Sequence, residues 1–180
     1  MTTPAEDSLR YPVGRFAPPA QVTAADREGW IAEIERAPAL LRAAFAGLDD
    51  ARLDTPYRPG GWTLRQVAHH VPESHMNAYV RFKLALTEDA PTIKPYDEAR
   101  WAELPDVPRA RIADSLALTD ALHARWVTLL RAMAPADFAR TFVHPEHPKP
   151  MTLERVLALY AWHGRHHTAH VTRTREANGW

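Results

Sequence analysis

Four of the chain's ten histidines fall in one short stretch, Trp162-His163-Gly164-Arg165-His166-His167-Thr168-Ala169-His170. They form two pairs at i, i+4 spacing, His163/His167 and His166/His170. On a helix that spacing places two imidazoles on one face, about 5–6 Å apart at Cβ, close enough to share a metal ion. Leu153, Val156, Leu157, Tyr160 and Val171 mark the apolar stripe of this helix. His167 falls inside the stripe and His163 on its edge, whereas His170 and, further round, His166 face away. The wheel therefore predicts that His163 and His167 point into the protein and that His166 points to solvent. Two readings stay open: a metal pair, or buried core histidines whose single donor and single acceptor are satisfied by neighbours.

A third ligand has to come from another helix, and the segment after Trp62 carries His69, His70 and His75. Its apolar arc runs through Leu64, Val67, Val71, Ala78 and Phe82. His75 lies inside the arc, His70 beside it and His69 opposite, so periodicity alone favours His75. His70 belongs instead to a polar strip of Gln66, His70, Ser74, Asn77 and Arg81 flanking the apolar face. That is what a half-open pocket between helices needs, although an ordinary solvated face reads the same way.

These residues must be held by helices, because the chain shows no convincing alternating strand. At 180 residues and 20.3 kDa it makes one domain with a sizeable core. Twenty-two basic residues balance twenty-two acidic ones, so no overall field attracts nucleic acid or an anionic membrane, and neither partner is expected. The absence of cysteine excludes a disulfide framework, a cysteine zinc site, an iron–sulfur centre and a thiol nucleophile from the chain itself. Without a signal-like segment or a membrane span, a soluble cytoplasmic protein is expected.

Sixteen prolines punctuate the chain. Residues 1–22 read as an extended arm, and 23–180 as a single helical domain. The first helix runs from about Thr23 to Ala46, with Pro38 expected to kink or split it. The second starts at Thr63, whose spacing to Gln66 is that of a capping box, and runs to about Leu86 with a bend at Pro72. The third covers about Arg109–Ala134, with Ile112, Leu116, Leu122, Trp126 and Leu129 as core candidates. The fourth covers about Thr152–Ala177. The proline-rich connection between the second and third helices, about 22 residues, is longer than antiparallel neighbours need. It can travel the length of a bundle, which predicts an all-α four-helix bundle with one long crossover and parallel second and third helices.

Arg58-Pro59-Gly60-Gly61-Trp62-Thr63, His69-His70-Val71-Pro72-Glu73-Ser74-His75-Met76-Asn77, Arg81-Phe82-Lys83-Leu84-Ala85-Leu86-Thr87-Glu88, Pro91 to Trp101 and Tyr160 to His170 together resemble the YfiT branch of the DinB/YfiT-like metalloenzymes. The arm Tyr11-Pro12-Val13-Gly14 fits as well, so the resemblance spans about residues 10–180. It implies a four-helix bundle, commonly a homodimer, holding one divalent metal per subunit, usually zinc, with ions such as nickel as alternatives. It also implies the ligand set: the second residue of the His-His pair, which is His70 and not His75, together with His163 and His167. Pro72 departs from the family pattern, where a small helix former is usual.

Three neutral imidazoles would leave zinc its full charge and an open position, the pattern of catalytic sites. Water or a thiol bound there becomes a nucleophile near neutral pH. Members of the branch are labelled metal-dependent hydrolases, and close relatives resemble bacillithiol S-transferases, so the resemblance implies hydrolysis of a small-molecule substrate or transfer of a low-molecular-weight thiol to an electrophile. Gly164 stands where a His-Glu-x-x-His motif would place a general base, which favours thiol transfer. Ser74, Asn77 and Arg81 are the expected pocket-lining residues, with Arg81 available for a substrate carboxylate. A metal-stabilised binding module without turnover is the alternative from a different class.

Overall fold

The long helices begin where their capping chemistry dictates. The structure, a computed structural model, describes residues 4–180, with side chains from Glu6 onward. Helix α1 covers Pro4–Arg10, α2 Ala24–Phe45, α3 Asp50–Leu53, α4 Leu64–Thr87, α5 Glu98–Trp101, α6 Ile112–Ala132 and α7 Leu153–Asn178. Thr23 and Asp26 close a capping box on α2, Thr63 and Gln66 close another on α4, and the Thr152 hydroxyl accepts from the Arg155 amide at the start of α7. Pro38 and Pro72 break neither helix. Both are buried, and α2 and α4 run through them.

Side-chain pairings give the helix directions. His69 meets Ser115, His75 meets His123 and Phe82 meets Trp126, numbers rising together, so α4 and α6 are parallel. Arg27 meets Glu154, Ala37 meets Gly164 and the Ala44 carbonyl meets Arg175, so α2 and α7 are parallel as well. The Glu35–Arg131 and Arg42–Asp120 contacts run α2 against α6, and the His70–His167 and Ser74–Tyr160 contacts run α4 against α7. The result is an all-α four-helix bundle whose one long crossover, residues 88–111, joins the parallel pair α4 and α6.

Two local features differ from expectation. The arm is not wholly extended, because it opens with α1, after which a turn at Tyr11–Gly14 carries it across α7. The loop before α7 is pinched by a two-stranded antiparallel ribbon, β1 (Thr141–Phe142) with β2 (Met151–Thr152), too short for alternation to reveal. Backbone hydrogen bonds from Ile93 to the Val143 carbonyl and from Val143 to the Pro91 carbonyl tie the crossover to this loop.

The apolar core has two parts. One contains Ile31, Ile34, Phe82, Trp126, Leu130, Leu153 and Leu157, and the other Leu41, Phe45, Leu64, Val67, Leu116 and Val171. Between them, on α4, α6 and α7, lies a layer of histidines.

Candidate metal centre

That layer owes its place to helical periodicity. On α7 the turns around His163 and His167 continue the stripe that buries Leu153, Leu157 and Tyr160. On α4, His70 and His75 lie between buried Val67 and buried Ala78. Nε2 of His163 is 3.4 Å from Nε2 of His70 and 3.2 Å from Nε2 of His167. Two nitrogens bound at 2.0–2.1 Å to a tetrahedral ion stand about 3.3 Å apart. The two edges from His163 thus fit a tetrahedral site, all three ligand nitrogens lie within 4.8 Å of one another, and the donor set is one that zinc accepts. Burial holds the rings neutral: it lowers the His70 pKa to about 4, with the His170 charge adding to the effect, and takes His163 and His167 well below 6.5. Neutral imidazole is the ligating form.

A second group, His166, His167 and His170, lies on α7 alone and shares His167 with the first. Both nitrogens of His170 are already engaged, while Nδ1 of His166 is buried without a partner. His170 Nε2 donates to the Arg10 carbonyl at 3.2 Å, and its Nδ1 is 3.4 Å from Nδ1 of His167. The two-helix trio is therefore the better candidate centre.

It opens on a cavity of about 480 Å³, with Arg58, Ser74, Arg81, Tyr96, Glu98 and Glu146 on its walls. The Tyr160 hydroxyl donates to the Ser74 carbonyl at 3.1 Å and keeps that wall in place. Arg81 is half-buried and makes no ion pair among the described residues. Burial raises the Tyr96 phenol to about 12, so it remains a hydrogen-bond donor. Trp62 packs over His70 with ring centres 4.7 Å apart. A larger groove of about 790 Å³ between α2 and α6 is walled by Ala39, Ala43, Ala124 and charged pairs such as Arg131–Glu35, and among the described residues it holds no metal-ligand trio.

The structure thus brings His70, His163 and His167 together and places Ser74 and Arg81 on the cavity. Asn77 does not line it, because its side chain folds back along α4 and donates to the Glu73 carbonyl. His75, favoured by periodicity, is fully buried behind His163, with Nε2 3.0 Å from His163 Nδ1. His166 does not face solvent. The arm lies over it, and it is buried at 7% exposure beside Tyr11 and Trp162. His69, expected opposite the core, is buried against Ser115 of α6. Sequence reasoning missed His123, although Leu116, Thr119, His123, Trp126 and Leu130 recur at helical spacing. It also missed Tyr96, Glu98 and Glu146, which the crossover and the loop before α7 carry to the cavity without any periodic signal.

Residues 33–171 match the family model of the DinB superfamily. A Bacillus mycoides (strain KBAB4) protein named "Putative metal-dependent hydrolase" is 54% identical over 172 residues, 96% of this chain and 98% of its own length. Bacillus subtilis (strain 168) "Putative metal-dependent hydrolase YfiT" is 47% identical, over 96% and 97% of the two chains. A solved YfiT structure from Bacillus subtilis superposes with a TM-score of 0.93, covering 96% of this chain and 99% of that one. It is described as "a probable metal-dependent hydrolase with an unusual four-helix bundle topology".

Proposed function

The chain belongs to the DinB superfamily, and on that premise we propose that it is an enzyme whose His70, His163 and His167 hold one zinc ion for the transfer of a low-molecular-weight thiol to an electrophile. The observation that carries the reading is the convergence of three neutral ring nitrogens from two helices beside a cavity. An ion there would supply Lewis acidity, making a bound thiol or water acidic enough to act as a nucleophile near neutral pH.

The chain's own residues do the rest. Arg81 and Arg58 give the cavity positive charge for the anionic groups of a small thiol or its acceptor, and the Tyr96 hydroxyl donates a hydrogen bond. Among the described residues, no carboxylate hydrogen-bonds any of the three histidines. Gly164 follows His163 because a Cβ there would meet the Ala37 Cβ at 3.3 Å, so this position serves helix packing rather than base catalysis. A thiolate needs no such base. Its sulfur bonds to the electrophilic carbon, and the leaving group departs with its electron pair.

Hydrolysis is the second reading. The names of the relatives favour it, as do Glu98 and Glu146 on the cavity wall, where a carboxylate could take a proton from water. The deciding experiment compares zinc-loaded protein on a model electrophile, with and without a small thiol, against a panel of esters and amides. Thiol-dependent conjugation that His163→Ala abolishes supports the first reading. Ester or amide cleavage alone supports the second, and zinc binding without turnover on either panel leaves a binding module. The homodimer belongs to the same proposal, and sedimentation showing only monomer at micromolar concentration would remove it.

A further inference from the structure

Behind His163 runs a chain of buried rings. His163 Nδ1 is 3.0 Å from His75 Nε2, His75 Nδ1 is 2.9 Å from His123 Nε2, and His123 Nδ1 is 2.6 Å from the Ile34 carbonyl oxygen of α2. His75 and His123 are 0% and 1% exposed, and their ring planes are inclined by 17° with centres 4.9 Å apart.

The direction of every bond follows from the far end. A carbonyl only accepts, so His123 Nδ1 carries the hydrogen. A neutral imidazole has one N–H, so His123 Nε2 is a bare acceptor and His75 Nδ1 must donate to it. By the same step His75 Nε2 is bare and accepts from His163 Nδ1–H. His163 Nε2 is left with a free lone pair, facing His70 and His167. All three rings are thereby held as the Nδ1–H tautomer, which is the minor form of free neutral imidazole side chains in water.

The anchor is built into α2. The helical partner of the Ile34 carbonyl would be the amide of residue 38, and residue 38 is proline, which has none. Pro38 therefore leaves that carbonyl open for His123. His167 has a shorter counterpart: His170 Nε2–H donates to the Arg10 carbonyl, its bare Nδ1 faces His167 Nδ1, and His167 Nε2 stays free.

We propose that His75 and His123 are positioning residues, anchored on the Ile34 carbonyl that Pro38 leaves open, which fix the tautomer and direction of His163 so that its Nε2 is ready for a metal ion. The consequence for metal affinity rests on His163 being a ligand, as in the reading above, but the tautomer assignment does not.

The test has two arms. In the first, long-range proton–nitrogen correlation on 15N-histidine-labelled, metal-free protein is expected to show His163, His75 and His123 as Nδ1–H forms. His163 as the Nε2–H form would overturn the proposal. In the second, zinc competition against a chromophoric chelator is expected to show about 10–100-fold weaker binding for His75→Leu and a loss within about threefold for His75→Gln, whose amide oxygen can accept in place of Nε2. Wild-type affinity in His75→Leu would also overturn it. Should His75→Leu not fold, His123→Leu, one ring further from the metal, carries the same prediction. Wild-type protein that binds no zinc would end the metal reading, and the tautomer pattern alone would then decide this one.

Discussion

The His166 imidazole lies face to face with the Trp162 indole, ring centres 4.4 Å apart and planes inclined by 20°. The indole in turn donates to the Gly14 carbonyl at 3.0 Å, and the Tyr11 ring sits 6.0 Å from His166. The arm is thus a wall of the site. Removing residues 1–15 should leave the bundle helical by circular dichroism, free His170 from the Arg10 carbonyl and weaken zinc binding about tenfold in a competition titration. Unchanged affinity would show that the arm only covers the site. His166→Ala should keep one metal per chain while lowering stability by about 1–3 kcal/mol in urea titration, the usual cost of emptying a buried position.

Substituting His70, His163 or His167 by alanine should each reduce bound metal well below one ion per chain after dialysis, measured by elemental analysis, and abolish turnover. His75→Ala separates ligand from support: it should retain measurable zinc under excess metal, where His70→Ala does not. The reverse order would make His75 the ligand. Chelation of the wild-type protein should lower its melting temperature, since zinc at 100 times its dissociation constant stabilises the folded state by about 2.7 kcal/mol.

Acid should unfold the metal-free protein early. Burial, reinforced by neighbouring imidazole charges, holds His75, His163 and His167 well below the 6.5 of an unfolded histidine. Below pH 6.5 the unfolded chain therefore binds protons that the folded chain refuses, so stability is full above that pH and is lost as pH falls. Each such proton contributes a slope of about 1.4 kcal/mol per pH unit. The urea midpoint should be flat above pH 7.5 and drop steeply between 6.5 and 5. A midpoint that rises on acidification would contradict the burial argument.

Gly164 lets α2 and α7 approach. Its Cβ position is already 3.3 Å from the Ala37 Cβ. Gly164→Leu should force the helices apart and destabilise by about 1–3 kcal/mol in chemical denaturation, despite the better helix propensity of leucine. A stabilised variant would show that this helix pair has slack.

The bundle was legible because its signals are local. The Thr63–Gln66 capping box and the Thr152 cap mark helix starts within a residue, and the length of the crossover carried the parallel pairing of α4 and α6. His163 and His167 could be picked from the wheel because both belong to the stripe facing the bundle. The misreadings share one physical origin: a wheel sees only the bundle axis. His166 and His69 are buried by an arm and by a helix edge that no wheel represents. On the third helix, Leu129 packs against the core at its edge and Leu122 is half-buried, because the fully buried stripe runs one residue on, through His123 and Leu130. Choosing His70 over His75 required the family resemblance, since both are buried and only their depth relative to His163 separates their roles.

The histidine layer that divides the apolar core also bears on helix register. Leucine and alanine faces tolerate sliding by a turn, because one apolar contact replaces another. Ring nitrogens do not. Moving α6 by one turn against α4 would carry His123 away from both His75 and the Ile34 carbonyl, leaving buried donors and acceptors unpaired at about 1–3 kcal/mol each. A polar layer spread over α4, α6 and α7, with its anchor on α2, therefore acts as a key that admits one vertical alignment of four otherwise slippery helices. Imidazoles that prepare a site would then also be a reason why the bundle has a single ordered state.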